Sequence, residues 1–325
     1  MSDKNIIASI STRGRYDTTL ALAMMSVINQ TLRPDKLIVF DDNENPRDLR
    51  ETQHYLYIFQ LLSEVGIEWE WVWAEKKGQH YNHQRANTMG YKWVWRLDDD
   101  TIAEPNVLAN LYSHVTDEVG CVGGAILTPP IMRDIVATGK IADIDAEPNI
   151  QWAHIKQKQE VDHLHCSFLY RAGIVDYNLN LSRVAHREET LFTYELHKKG
   201  YKNFVVPNAV TWHLKNKEGG IRDGDYQMFE HDEALFRNKL NLADNTIVVL
   251  DNGIGDHIVF KHVLPDIKNP IVFSCFPNVV PGRSIADAYA TLGSLDPYNI
   301  YAKMDKWNWK GSMEDAFRKL YGAEK

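Results

Sequence analysis

The chain has 325 residues, 44% apolar and 25% charged, with 36 Lys and Arg against 44 Asp and Glu for a net charge of −8. That length suits about two globular units, and the composition excludes a disordered, collagenous or coiled-coil chain. The mean hydropathy of −0.39 excludes a membrane-spanning protein, because no apolar run approaches the ~18 residues a spanning helix needs.

The acidic balance argues against a general basic nucleic-acid coat, though a local basic groove stays open. Cys121, Cys166 and Cys275 are far apart and form no Cys-x-x-Cys pair, so a reducing, cytoplasmic setting is expected (host cytoplasm if the gene is carried by a phage). Residues 1–12 show no basic segment followed by a long apolar run, so no secretory leader is expected.

In chain order, Asn5 to Ser11 reads as a strand and Ser11-Thr12-Arg13-Gly14-Arg15 as a polar break. A helix follows, with Thr18 and Thr19 as caps and Leu20, Ala23, Met24, Val27 and Ile28 on one face. Lys36 to Phe40 is a second strand, running into Asp41-Asp42-Asn43, and Asp48 to Val65 a second helix. Trp69, Trp71 and Trp73 alternate with strand period, as a core stripe or a stacking surface. Gln79 to Asn87 leads into a helix, Tyr91 to Leu97 is a strand ending in Asp98-Asp99-Asp100, and Pro105 to His114 is a helix. Val119 to Leu127, His163 to Tyr170 and Phe204 to Pro207 read as strands, and Glu189 to Lys199 as a helix closed by Gly200. Asp225 to Leu240 reads as a connecting helix. Strands alternating with helices imply an α/β protein with a largely parallel sheet, whose strand carboxyl ends collect ligands. A catalytic domain is expected over 1–243 and a small βαβ module over 244–325, the latter suited to docking, dimerisation or holding an acceptor.

Three carboxylates after a buried strand, Asp98, Asp99 and Asp100, repel one another unless a cation offsets them or they form an acidic turn before the next helix. Asp41 and Asp42 end an earlier strand of the same sheet, where a carboxylate suits the donor groups of a nucleoside or simply forms a turn. Glu188 and Glu189 open a helix, where the dipole favours acidic residues and a positioned carboxylate can act as a base. His163-Leu164-His165-Cys166 suggests zinc, with His163 and His165 on one face of a predicted strand; a closed site lacks its second Cys or His pair, which leaves an acceptor pocket as the functional reading. Lys215, Lys217 and Arg222 surround Gly219-Gly220, as a lid over phosphates or a solvated basic loop.

Taken in order, these stretches resemble family 2 glycosyltransferases of GT-A fold, across Asn5 to Lys215. Ile10 to Arg15 resembles the opening strand and nucleotide-binding turn, and Val39-Phe40-Asp41-Asp42-Asn43 the acidic end of the next strand. Gln84-Arg85-Ala86-Asn87 is similar to the family's basic helix start. Trp95 to Asp100 resembles the strand ending in Asp-x-Asp, and His186 to Thr190 the acidic pair opening a late helix. Glu195 to Tyr201 continues that helix, and His213 sits where many members place a histidine near metal and diphosphate. The resemblance implies a GT-A-like, mostly parallel Rossmann-type sheet flanked by helices. It also implies an inverting transfer from a nucleotide-sugar, a UDP-sugar first, with Mn2+ or Mg2+. Donor-binding residues would be Thr12, Arg13, Arg15, Asp41, Asp42, Arg85, Asn87, Asp98, Asp99, Lys215 and Arg222. Metal ligands would be Asp98, Asp100 and His213. Glu189 would be the base, with Glu188 competing because the family usually has Asp at this second acidic position. His163 and His165 would face the acceptor. Gly253-Ile254-Gly255-Asp256 is similar to the turn opening heptosyltransferase-like proteins, a weak signal in so short a segment.

The acceptor stays open between a surface glycan, a soluble acceptor and a modified nucleobase of phage-type DNA, the last prompted by Lys198, Lys199, Lys202, Lys215 and Lys217. Two other classes compete: a nucleotidyltransferase or phosphohydrolase using the same aspartates, and a non-catalytic sugar-nucleotide-binding module.

Overall fold

The computed structural model describes residues 5–129, 137–216, 219–220, 226–242, 245–292, 295 and 298–323. The chain divides into two compact units: Met1–Asp134 with Gly139–Ile141 and Ile150–Leu240, and Ile135–Thr138 with Ala142–Asn149 and Asn241–Lys325. The second unit thus recruits a stretch, Ala142–Asn149, that lies far from it in sequence.

The first unit runs β1 (Ile6–Thr12), α1 (Leu20–Ile28), β2 (Lys36–Asp41), α2 (Gln53–Glu64), β3 (Glu68–Trp73), α3 (Gln79–Asn87), β4 (Trp93–Asp98) and β5 (Thr101–Ala103). It continues with α4 (Val107–Ser113), β6 (Val119–Leu127), β7 (Gln159–Val161), β8 (Phe168–Arg171), α5 (Glu188–Lys198), β9 (Lys202–His213) and α6 (Tyr226–Leu240). Its strands make one sheet in the order β3-β2-β1-β4-β8-β6-β9-β5, with β7 against β9. Pairing is parallel from β3 to β4 and between β6 and β9, and antiparallel where β8 joins β4 and β6 and where β5 and β7 join β9. The parallel half follows from its sequence: β1 and β2 are near-continuous apolar runs, the pattern of strands covered on both faces.

The core packs Leu20, Ala23, Met24 and Val27 of α1 and Tyr55, Ile58 and Leu62 of α2 against β1, β2 and β4. Trp69 and Trp71 pack against this core, Trp69 stacked on Phe59 at 4.4 Å, whereas Trp73 at the end of the edge strand is 60% exposed. Thr19 precedes α1 but its side chain makes no cap hydrogen bond; the Arg15 carbonyl accepts from the Thr18 and Leu20 N–H groups instead.

Two expected strands differ. β9 has 12 residues, reaching from Lys202 to His213, because it finds partners in β6, β7 and β5 along its length. The stretch from His163 to Ser167 is not a strand, so strand alternation does not place His163 and His165; Leu164 N–H donates to Thr193 and His165 N–H to Gln151, leaving the ladder to begin at Phe168. At β6, Gly124 is required by close approach: a Cβ there would lie 1.8 Å from the Ala209 carbonyl oxygen of β9.

The second unit contains β10 (Thr246–Leu250), α7 (Ile254–Phe260), β11 (Pro270–Ser274), β12 (Arg283–Ser284), α8 (Ile285–Leu292), α9 (Ile300–Trp307) and α10 (Met313–Leu320). β10, β11 and β12 pair in parallel, with Val248, Leu250, Phe260, Val263 and Phe317 in its main core. Gly253 and Gly255 open α7, and a Cβ at either would meet no atom within 4 Å, so close packing does not require glycine there. Among the described residues no helix is long and apolar enough to cross a membrane.

Candidate active site

Register brings the carboxylates together. In the parallel half Thr12 lies opposite Asp41 and Ser11 opposite Asp98, so β1, β2 and β4 end at one edge of the sheet. From the other half, β9 sets His213 opposite Thr101, and the Asp100 carbonyl accepts from Leu214 N–H at 2.9 Å. Between these ends lies a cavity of about 240 Å³, lined among others by Thr12, Asp42, Asp98, Asp100, Glu189 and His213.

Beneath it sits Arg96, fully buried in the middle of β4. Its Nη2 lies 2.6 Å from Glu188, 3.1 Å from Asp98 and 3.4 Å from Glu189, and its Nη1 donates to the Cys166 carbonyl at 2.6 Å. Burial works against this guanidinium, but Glu188, Asp98 and Glu189 outweigh it and hold Arg96 charged, well above its usual value. Burial pushes Glu188 well up, and Asp98 also upward. The acidic pair is therefore split: Glu188 is sealed in the ion pair, and Glu189 lines the cavity.

The loop before α5 is clamped by α6. The Asp232 carboxylate accepts from Ser182 N–H at 2.6 Å and His186 N–H at 2.9 Å, while Glu233 pairs with Arg187 at 3.1 Å and His186 at 3.2 Å. Burial opposes the Glu233 carboxylate, yet Arg187, His186 and Arg237 hold it well below the usual range. Ala185 and Arg187 sit in the left-handed region at φ 53° and 66°, strain that this clamp maintains next to Glu188 and Glu189. The expected connecting helix is thus what fixes the acidic turn.

A second buried arginine, Arg15, stands on the turn after β1. Its Nη1 is 2.6 Å from Asp99 and 2.9 Å from Asp100, and Arg13 N–H donates to Asp99 at 3.2 Å. Burial raises Asp99 to about 6, with Arg15 opposing. Asp100 also meets His213 Nε2 at 3.3 Å and accepts from Asn216 N–H at 3.3 Å. Gly219 and Gly220 pack on this turn: Gly220 N–H donates to the Arg13 carbonyl at 2.8 Å, and a Cβ on Gly219 (φ 76°) would lie 2.6 Å from that same oxygen.

On the opposite wall, His165 and Trp152 line the cavity. Gln151 is fully buried and accepts from His165 N–H at 2.6 Å, which holds the short turn carrying Trp152. The indole stacks on His213 at 6.0 Å and on His165 at 6.4 Å, and Lys215 Nζ lies 5.4 Å from its centre. Burial pushes His165 down to about 3, with Arg187 and Arg96 adding to it, so its ring is neutral at ordinary pH. His163 is buried behind it, ring to ring at 5.3 Å, and does not line the cavity.

Other expected site residues fall elsewhere. Asp41 is buried against Tyr16 and Asn43 and leaves the cavity to Asp42, which accepts from Gly78 N–H at 3.1 Å. Arg85 is exposed, over the Phe40 ring, because the buried face of α3 is formed by His80, Asn82, His83, Ala86 and Asn87. Asn87 spends its amide on the loop after β8, donating to the Val175 carbonyl and accepting from Gly173 N–H. Lys215 touches Trp152 without lining the cavity, and Lys217 and Arg222 lie outside the described residues.

Sequence reasoning passed over Arg96, Trp152 and Arg183 and met Cys166 only in a zinc motif that it set aside; all four lie at or under the cavity. A lone Arg in the apolar run Trp93 to Leu97 was a usable signal, since a fully buried arginine demands partners. Trp152, the one Phe, Tyr or Trp between Met132 and Glu160, was another.

Groups able to hold a cation gather here. One ligand atom each from Asp98, Cys166 and His213 lies within 4.8 Å of the others. His213 Nδ1 is buried without a hydrogen-bond partner among the described residues. An orphaned imidazole nitrogen beside carboxylates fits a divalent ion.

No protein-family model matches the chain, and no curated protein matches it. Solved structures do. TarS of S. aureus superposes with a TM-score of 0.52 at 13% identity, over 98% of this chain and 52% of that one. A structure of S. aureus TarS 1–349 in complex with UDP-GlcNAc gives 0.52 at 13% identity, over 92% and 80%. GalNAc-T7 with UDP, GalNAc and Mn2+ gives 0.53 at 13% identity, over 97% and 56%. The chain thus spans about half the length of the TarS and GalNAc-T7 chains. At this identity the likeness is one of fold: the large mixed sheet with helices on its faces is a GT-A-like arrangement.

Proposed function

We propose that the chain is a nucleotide-sugar-dependent glycosyltransferase that transfers with inversion and uses a divalent cation. The observation that carries this reading is a cavity that holds Glu189 together with Asp98, Asp100 and His213, and with Arg13, Arg15 and Arg183. Glu189 would take the proton of the incoming hydroxyl, since it is the member of the acidic pair that reaches the cavity. Arg13, Arg15 and Arg183 supply positive charge for a diphosphate, and Asp42 an acceptor for nucleoside hydroxyl or N–H donors. His165, neutral and beside Thr190, would offer a hydrogen bond to an acceptor hydroxyl. A divalent ion held by Asp98, Asp100 and His213 would serve as a Lewis acid toward the leaving diphosphate. The GT-A-like fold supports the class, and the UDP-GlcNAc and the UDP, GalNAc and Mn2+ in the related structures motivate a UDP-sugar with Mn2+ as the first trial.

The test is a thermal-shift screen of nucleotide sugars with Mn2+, followed by assay of the released nucleotide. A stabilising donor that yields a nucleoside diphosphate supports the proposal. Release of pyrophosphate would mark a nucleotidyltransferase, and binding without turnover a sugar-nucleotide-binding module.

A further inference from the structure

The ligand atoms gathered most closely in the cavity are not all oxygen and nitrogen. They come from Asp98, His213 and the thiol of Cys166, within 4.8 Å of one another. Asp100 adjoins this group, its carboxylate meeting His213 Nε2 at 3.3 Å as well as Arg15 Nη1 at 2.9 Å and Asn216 N–H at 3.3 Å. Cys166 is held deliberately. It is buried, lines the cavity, and sits at φ 59°, a left-handed conformation that costs a non-glycine residue energy. Arg96 Nη1 fixes that turn by donating to the Cys166 carbonyl at 2.6 Å. A second observation concerns the same side chains: His213 Nδ1 and Asp98 Oδ1 are buried atoms with no hydrogen-bond partner among the described residues, Asp98 Oδ1 having the Arg96 ion pair at 3.1 Å.

We propose that Cys166 is a direct ligand of the cation bound in this cavity, completing a mixed oxygen, nitrogen and sulfur site that takes Zn2+ or Co2+ in preference to Mg2+. Carboxylate and water ligands suit Mg2+, whereas a thiolate among them favours borderline and softer ions. On binding, the Sγ–H bond gives way to an Sγ–metal bond and the proton goes to solvent. The assignment rests on the reading that this cavity holds a divalent cation, and not on sugar transfer.

The test is titration of the full chain with Co2+ alone, without nucleotide, read as the thiolate-to-cobalt charge-transfer band in the near ultraviolet. The wild type is expected to show the band, Cys166→Ser to lose it, and Cys121→Ser and Cys275→Ser to keep it. Absence of the band in the wild type, its survival in Cys166→Ser, or its loss in Cys275→Ser overturns the assignment. Should Cys166→Ser fail to fold, the wild type decides alone: equilibrium dialysis is expected to show Zn2+ bound roughly 100-fold or more tightly than Mg2+, and equal affinities overturn it. A band without any sugar transfer supports the thiol ligand while removing the transferase reading. Transfer supported by Mg2+ with no band does the reverse.

Discussion

The cavity rests on two buried arginines that solve the same problem differently. Arg15 serves two carboxylates, Asp99 and Asp100, and backbone N–H groups of Arg13 and Asn216 share the load. Arg96 serves three, Asp98, Glu188 and Glu189, so three negative charges less one positive leave two unbalanced if all are ionised. The Arg15 group is closer to balance, one guanidinium facing two carboxylates, although burial still raises Asp99 to about 6. The Arg96 group is short of positive charge, and burial pushes Asp98 and Glu188 upward in response. A region with excess carboxylate is where an added proton or cation is welcome, and Asp98 and Glu189, its members on the cavity, are placed to accept one.

The sharpest way to break this contrast is to neutralise the two glutamates separately. Glu189→Gln should lower kcat by about 10²–10⁴-fold, the usual share of a general base, while donor binding measured by thermal shift stays within a few-fold. Glu188→Gln should act mainly on stability, because its carboxylate is sealed against Arg96. A kcat within tenfold of wild type in Glu189→Gln would remove it as the base. Next in size is Arg96→Met, which strands the buried carboxylates and should cost about 3–5 kcal/mol in urea unfolding. A loss under ~1 kcal/mol would mean those carboxylates are already neutral and the charge deficit is not real.

Arg15→Met asks whether a divalent ion can replace a guanidinium. Leaving Asp99 and Asp100 without it should cost about 1–3 kcal/mol. Saturating Mn2+ should then raise the Tm of the variant more than that of the wild type, since a ligand stabilises by mass action the state it binds. Equal Mn2+ shifts in both proteins would place the ion's influence away from Asp99 and Asp100.

What could be read from sequence was the set of strand ends. β1, β2, β6 and β10 are short apolar runs bounded by polar turns, and their period and length sufficed. The acidic clusters after β2 and β4 were equally legible, standing where buried runs end. What stayed hidden depended on contacts across long sequence distances. Cys166 reaches the cavity through Arg96, 70 residues away, a contact that no local pattern encodes, and Trp152 through its neighbour Gln151, which bonds His165 14 residues on. Asp41 and Asp42 look interchangeable in sequence; only the Tyr16 hydroxyl and the Asn43 amide, folded against Asp41, decide which one the cavity receives. The clamp of α6 on the loop before α5 escaped for the same reason: Asp225 to Leu240 reads only as a connecting helix until Ser182 and His186 are brought to Asp232 and Glu233.

The smallest effect concerns the buried histidines of α3. His83 is fully buried there, and burial, then Arg96, then His80, hold its ring well below the usual value. Burial likewise pushes His80 down from 6.5 to about 4. Between those two values the unfolded chain binds a proton that the folded chain refuses, so stability falls as pH drops below 6.5 and the loss levels off near 4. One such histidine costs about 1.4 kcal/mol per pH unit, or about 2 kcal/mol between pH 6.5 and about pH 5. Asp99 works in the opposite sense: raised from 3.8 to about 6, it keeps its proton longer in the folded state, so acidification through that window favours folding. The two regions therefore pull the pH profile in opposite directions, and the readout must be a difference between variants. Unfolding free energies of wild type and His80→Gln, measured at about pH 7 and about pH 5, should differ in slope by about 2 kcal/mol, with the variant losing less on acidification. Identical slopes would mean that α3 admits the proton in the folded state.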